Sequence, residues 1–159
     1  MSDAEFFRKK REEAMKKICS AWGHNMSCFI CGRKERELEK QNKKLQIEHL
    51  IDENIGNTIF EKSQGGSSNT YEVLNTPENE IKSKFDILCD DCNILKNSAI
   101  RELMIFVEKK DFDSFIKKYK AFLPIIPVDI LKPAIFETAK NNKYKIDMEG
   151  KKIKKYKNI

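Results

Sequence analysis

Four of the five cysteines stand in two pairs of identical spacing, Cys28-x-x-Cys31 and Cys89-x-x-Cys92. A two-residue gap lets both sulfurs of a pair turn toward one point, and two such pairs supply a closed tetrahedral zinc site. Four thiolates leave no open position for substrate, so this metal is expected to be structural. Between the pairs lies Glu48-His49, and Asn93 follows the second pair directly. A carboxylate and an amide oxygen are hard donors that suit Mg²⁺ or Mn²⁺, ions that keep waters and accept phosphate oxygens as further ligands. Imidazole is the side chain best suited to taking a proton from water near neutrality. These are the parts of a metal-assisted phosphodiester hydrolysis. One zinc that gathers all four sulfurs would draw Glu48, His49 and Asn93 into the same small layer.

Several elements must do that positioning. Ser2 followed by Glu5 fits a capping box, and Ala14, Met15, Ile18, Cys19 and Trp22 recur at helical spacing, which predicts a helix over 3–22 ended by Gly23 and Asn25. Cys19 lies on that apolar stripe and is assigned to the core, and His24 to a cap or the surface. Gly32 marks a turn at the first cysteine pair. The run RKERELEKQNKK is expected to be a solvated face. Leu45 to Ile51 and Phe85 to Leu88 read as short strands, the second leading into Cys89. The stretch 52–83 is poor in apolar residues and holds Gly56, Gly65-Gly66 and Pro77, so it is expected to be a long loop with little structure.

A helix is expected from Cys92 through Ile100, Leu103, Met104 and Val107. Another carries Phe112, Phe115, Ile116, Tyr119, Phe122 and Leu123. Pro124, Pro127 and Pro133 predict an extended connector, and the segments flanking Glu149-Gly150 read as a β-hairpin. The expected fold class is therefore α+β. It comprises an N-terminal helix in 1–24, a zinc-stapled core in 25–98, a helical extension in 99–123, and a Pro-containing connector with a basic β-hairpin in 124–159.

The chain of 159 residues is 40% hydrophobic and 35% charged, enough apolar content for a core in a water-soluble protein. It has no apolar run of about 18 residues that could span a membrane. The start, MSDAEFFRKKREE, is unlike a secretory signal, and an odd cysteine count argues against a disulfide framework. An intracellular, cytoplasmic protein with no membrane partner is expected. The formal net charge is +6, and residues 140–159 carry all of that excess. A polyanion would be met at this end of the chain.

The order Cys28-x-x-Cys31, Ile47-Glu48-His49-Leu50, Gly65-Gly66, Leu88-Cys89-x-x-Cys92-Asn93-x-x-Lys96 resembles the His-Asn-His (HNH) endonucleases with the ββα-metal fold, in the subgroup with two zinc-binding cysteine pairs. The resemblance covers about residues 28–97. It implies Glu48 and Asn93 as ligands of a catalytic Mg²⁺ or Mn²⁺, and His49 as the general base. It also implies Lys96 as a phosphate contact, DNA as partner, and 5′-phosphate and 3′-hydroxyl products. Lys84 stands where the family has its middle Asn, so that role is lost or passes to Asn69, Asn75 or Asn79, among which the sequence does not choose. Lys84, Lys96, Lys151, Lys152, Lys154 and Lys155 are the candidate nucleic-acid contacts. A double-strand cut would need two copies, with the 100–123 helices as the natural dimer surface. The expected activity is that of a restriction-type, phage or mobile-element nuclease. The alternative is a zinc-stapled binding module without cleavage.

Overall fold

The computed structural model describes residues 2–51 and 66–156 of the chain. In chain order its elements are α1 (Asp3–Trp22), α2 (Glu35–Lys40), β1 (Leu45–His49), α3 (Gly66–Leu74), α4 (Glu78–Lys84), β2 (Phe85–Cys89), α5 (Asp90–Glu108), α6 (Phe112–Phe122), α7 (Val128–Asn141), β3 (Tyr144–Asp147) and β4 (Lys152–Lys155). Helices together with two separate antiparallel sheets, β1–β2 and β3–β4, make this an α+β chain. It divides into two compact units. The first holds described residues 2–50 and 66–93, the second 51 and 94–156, and α5 begins in one and ends in the other.

In the first unit, α1 has the ends that its sequence predicts. Ser2 Oγ accepts a bond from Glu5 N at 3.2 Å. Gly23 closes the helix at φ 64, a left-handed conformation in which glycine escapes the Cβ penalty. Ala14, Met15, Ile18 and Cys19 are its buried stripe.

The β1–β2 ribbon runs from the pair Leu45–Cys89 to the pair His49–Phe85. Its outward carbonyls are satisfied from other elements. Leu45 O accepts from Arg11 Nη2 at 2.6 Å and Ile47 O from Asn69 Nδ2 at 2.9 Å. On the other rim, Phe85 O accepts from Trp22 Nε1 at 2.8 Å and Ile87 O from Phe29 N at 2.9 Å. Odd-numbered residues thus point their carbonyls outward, and the ladder bonds fall to the pairs Gln46–Leu88 and Glu48–Asp86. Strand alternation puts Gln46, Glu48, Asp86 and Leu88 on one face. Leu45, Ile47, His49, Phe85, Ile87 and Cys89 occupy the other. A lone two-stranded ribbon is marginal in water, so the satisfied rims and the burial of both faces are what hold it.

The expected long loop over 52–83 is corrected in its described part, since residues 66–74 and 78–84 form α3 and α4; residues 52–65 lie outside the described residues. α3 buries Asn69, Thr70 and Val73. Only one of these is apolar, so no helical period shows in the sequence. Its C-terminal end is tied to α1 by Lys17 Nζ, which donates to Val73 O (3.2 Å), Leu74 O (3.4 Å) and Thr76 O (2.5 Å). A cation at free carbonyls of a helix end is favourable. α4 starts behind Pro77 and buries Ile81 alone, and the charge run forms α2, which buries only Leu38.

In the second unit, α5 buries Ala99, Ile100, Leu103, Met104 and Val107, and α6 buries Phe112, Phe115 and Tyr119. Asp111 caps α6 by accepting from Ser114 N at 3.1 Å. The extended connector expected from three prolines is also corrected, because residues 128–141 are helical and Pro133 lies inside the helix. Pro127 sits at the N-cap, where its missing N–H breaks no bond. Pro133 forfeits about 3 kcal/mol. Ile130, Leu131 and Ile135 are buried around it, each contributing about 1.5–3 kcal/mol, and burial wins.

The C-terminal hairpin forms as expected. Tyr144 pairs with Lys155, Lys145 with Lys154, Ile146 with Ile153, and Asp147 with Lys152. Ile146 and Ile153 are its buried side, with β3 against α7. In the turn, Asp147 Oδ1 accepts from Gly150 N at 2.9 Å. That bond, followed by the charges of Lys145, Lys152 and Lys154, holds the Asp147 carboxyl below the usual range. A carboxyl depressed in the folded state stabilises it above the unfolded pKa of about 3.9 and ceases to do so as pH falls through the folded value. The Tyr156 N to Lys143 O bond sets the alternation, so the ladder bonds fall to the pairs Lys145–Lys154 and Asp147–Lys152. Protection of the Lys145 and Lys154 amides in hydrogen exchange is therefore expected to fall below about pH 4. A Cβ at Gly150 would collide with the Asp147 carboxylate, so Gly150→Ala is expected to speed exchange at both amides at neutral pH as well.

Candidate metal centre and the residues around it

The first cysteine pair sits in a tight turn. Cys28 N donates to Arg33 O and Gly32 N to Cys28 O, each at 2.9 Å, with Gly32 at φ 79. Phe29 N on Ile87 O fastens this turn to β2. Cys89 ends β2, and Cys92 lies in the first turn of α5. The four sulfurs all lie within 4.8 Å of one another, and Cys31 Sγ is 3.8 Å from Cys89 Sγ. A tetrahedral ion with metal–sulfur bonds of about 2.3 Å needs sulfurs about 3.8 Å apart. The cluster could therefore hold a metal ion such as zinc. Cys19, the fifth cysteine, is in the core, where its Sγ faces Asn25 O and Met26 Sδ.

Four thiolates around a divalent ion carry net negative charge, and a cation stands beside them. Arg33 donates from Nε to Cys31 Sγ (3.1 Å) and from Nη2 to Cys89 Sγ (3.3 Å), so one guanidinium spans both cysteine pairs. The same group reaches Asp91 Oδ2 (3.1 Å) and Gln41 Oε1 (2.6 Å). Lys43 and then Arg33 hold the Asp91 carboxyl below its usual range. Burial works to raise the Cys31 thiol, yet hydrogen bonds from Arg33 and other neighbours outweigh it and bring it down to about 7. Burial pushes the Cys28 and Cys92 thiols up. Such outer contacts orient ligands and tune a metal's thiolates.

Glu48 and Asp86 face each other across the ribbon, at 9% and 0% exposure. Gln46, on the same face, donates from Nε2 to Asp90 Oδ1 at 3.1 Å, which brings the start of α5 onto that face. Asn93 follows one turn later, half-buried. His49 closes β1 on the opposite face. Its ring lies against Phe85 with centroids 5.3 Å apart, and its Nε2 is 2.5 Å from Glu72 Oε2 on α3. Glu48 thus lies on one side of the ribbon and His49 on the other, at its terminal pair.

The lysines expected at nucleic acid divide by environment. Lys84 ends α4 with its ammonium 3.5 Å from Glu80 Oε1, and only its backbone carbonyl meets the strand region, accepting from Leu50 N at 2.8 Å. Lys96 is 1% exposed, so its ammonium is withdrawn from the surface at which a phosphate would be met. Lys151, Lys152, Lys154 and Lys155 are exposed in the hairpin of the second unit.

Three residues join this neighbourhood that sequence reasoning had missed or left undecided. Among Asn69, Asn75 and Asn79, it is Asn69 that is buried and bonded to the carbonyl two residues before His49. Asp86 was signalled only as an acid in an otherwise apolar strand. Glu72 gave no signal, since it is one acid among 25. Replacing Asn69 with Ala strands the Ile47 carbonyl and is expected to cost about 1–3 kcal/mol, read as a lower urea midpoint. No family model matches this chain, and neither does any curated protein or solved structure.

Proposed function

We propose that the chain is a metal-dependent DNA endonuclease of the HNH type, with residues 28–97 as a ββα-metal core. The observation that carries this reading is the convergence of the four cysteines. It ties the turn at Cys28, the end of β2 and the start of α5 into one unit that also holds Glu48, His49 and Asn93. Among the described residues, no second cluster of His, Cys, Asp and Glu forms a ready cage for a cation. Glu48 and Asn93 would hold Mg²⁺ or Mn²⁺, because a carboxylate and an amide oxygen are hard donors that suit such an ion. When bound, the ion supplies charge neutralisation at the scissile phosphate and at the departing 3′ oxygen.

The chain's own residues do the rest. The Glu72 carboxylate accepts a hydrogen bond from Nε2–H of a neutral His49, the tautomer whose lone pair is on Nδ1. Packing against Phe85 keeps the ring in place. Nδ1 removes the proton from a water attacking in line, leaving a 5′-phosphate and a 3′-hydroxyl. Because His49 is the last residue of β1, a phosphate at the ribbon end could address both its faces. Nicking of supercoiled plasmid with Mg²⁺ or Mn²⁺, lost in His49→Ala, tests the proposal.

The placement of Glu48 and His49 on opposite faces favours a second reading, a zinc-stapled nucleic-acid-binding module without cleavage. Wild type and His49→Ala would then bind DNA alike, and both would leave plasmid intact.

A further inference from the structure

We infer that the outward face of the β3–β4 hairpin grips the phosphate backbone of nucleic acid through Lys145, Lys152 and Lys154. This rests on the nucleic-acid partner proposed above, though not on cleavage.

The register sorts the hairpin's lysines. Ile146 and Ile153 are cross-strand partners and buried, so residues in phase with them share the packed face, and Tyr144 and Lys155, the latter exposed at its edge, are the next such pair. Lys155 is accordingly folded over the Tyr144 ring, its Nζ 5.6 Å from the centroid. Residues out of phase point to solvent. There Lys145 lies directly opposite Lys154, Lys152 opposite Asp147, and all three lysines are exposed. A basic run in the sequence thus becomes one cationic face and one lysine that serves the hairpin itself.

Like charges directly opposite on a ribbon are destabilising, so the Lys145–Lys154 pair works against the hairpin that displays it. The one acid in the row, Asp147, has a carboxylate oxygen committed to Gly150 N in the turn. The face therefore keeps a positive excess concentrated along one side. Lys152 and Lys154, two apart on β4, are about 6.6 Å apart along the strand, and Lys145 stands across from Lys154, which gives a compact group of three ammonium groups. An extended row of like phosphates relieves that repulsion, and a two-stranded ribbon is narrow enough to lie along or within a duplex groove about 12 Å wide. Point-like ammonium groups without planar donors position a backbone and read no sequence.

The test uses the full-length, zinc-loaded protein and a 20-base-pair duplex, with affinity read against salt in the absence of added Mg²⁺ or Mn²⁺. Each lysine on a phosphate contributes about 0.9 to the slope of log K against log salt. Lys145→Gln/Lys152→Gln/Lys154→Gln is expected to lower the slope by about 2.7, each single variant by about 0.9, while Lys155→Gln keeps the wild-type slope. An unchanged slope in the triple variant, or an equal loss from Lys155→Gln, overturns the inference. So does binding to vesicles containing an anionic lipid that the triple variant loses while its DNA slope stays intact. The single variants, each checked for native exchange at the Asp147 amide, guard against a misfolded triple variant. Full-slope binding without plasmid nicking refutes the nuclease proposal alone, whereas nicking with an unchanged triple-variant slope refutes the grip alone.

Discussion

Replacing Cys89 by serine is expected to unfold the first unit and abolish its metal content. Cys89 is fully buried, ends β2 and pairs with Leu45, so it joins the ribbon to the sulfur cluster. A structural zinc contributes on the order of 10 kcal/mol or more, and the net stability of a whole domain is about 5–15 kcal/mol. Without the ion, little or nothing remains. A chelator should do the same to the wild type, with recovery on adding zinc. The Cys28 and Cys92 thiols, which burial raises, must lose protons to bind. Zinc affinity should therefore climb with pH as protons cease to compete. Metal analysis and circular dichroism decide the matter. Cys19→Ala is the control, expected to keep one zinc per chain and lose only core packing. If Cys89→Ser retained a full metal complement and its fold, the four-sulfur centre would be wrong.

His49→Ala should leave that centre intact and remove cleavage. The His49 side chain is 41% exposed and its Glu72 partner 51%. A contact so exposed adds little stability, so the thermal midpoint should barely move. Loss of a positioned base lowers a rate by about 10²–10⁴-fold, enough to take plasmid nicking below detection over hours. Glu72→Gln keeps the hydrogen-bonding shape without the charge and should lose part of that rate, with DNA affinity unchanged. Nicking by His49→Ala at the wild-type rate would remove the imidazole from the chemistry.

Legibility in the sequence followed how local the cause was. α1 was readable because Ser2, the apolar stripe and Gly23 state its start, face and end within one stretch. The ribbon and hairpin were readable from short alternations, and the four-cysteine cluster from spacing alone. α3 was not, because its buried positions 69 and 70 are Asn and Thr, whose value lies in contacts with β1 and not in hydrophobic period. α7 was hidden by Pro133, a local veto that burial of Ile130, Leu131 and Ile135 overrides. At the candidate site, Glu48, His49 and Asn93 stood out as residue types. The division of Glu48 and His49 between two faces of the ribbon, and the arrival of Glu72 and Asp86, depend on pairing between distant segments that no local pattern carries.

The side chains that meet the outward carbonyls of β1 and β2 also keep the ribbon from recruiting strands of other molecules. Arg11 and Trp22, both on α1, each occupy one rim, so a single helix guards both against edge-to-edge aggregation. Stripping α1 away would leave two sticky margins on a ribbon too short to be stable alone, and the shortened protein should assemble into β-rich oligomers.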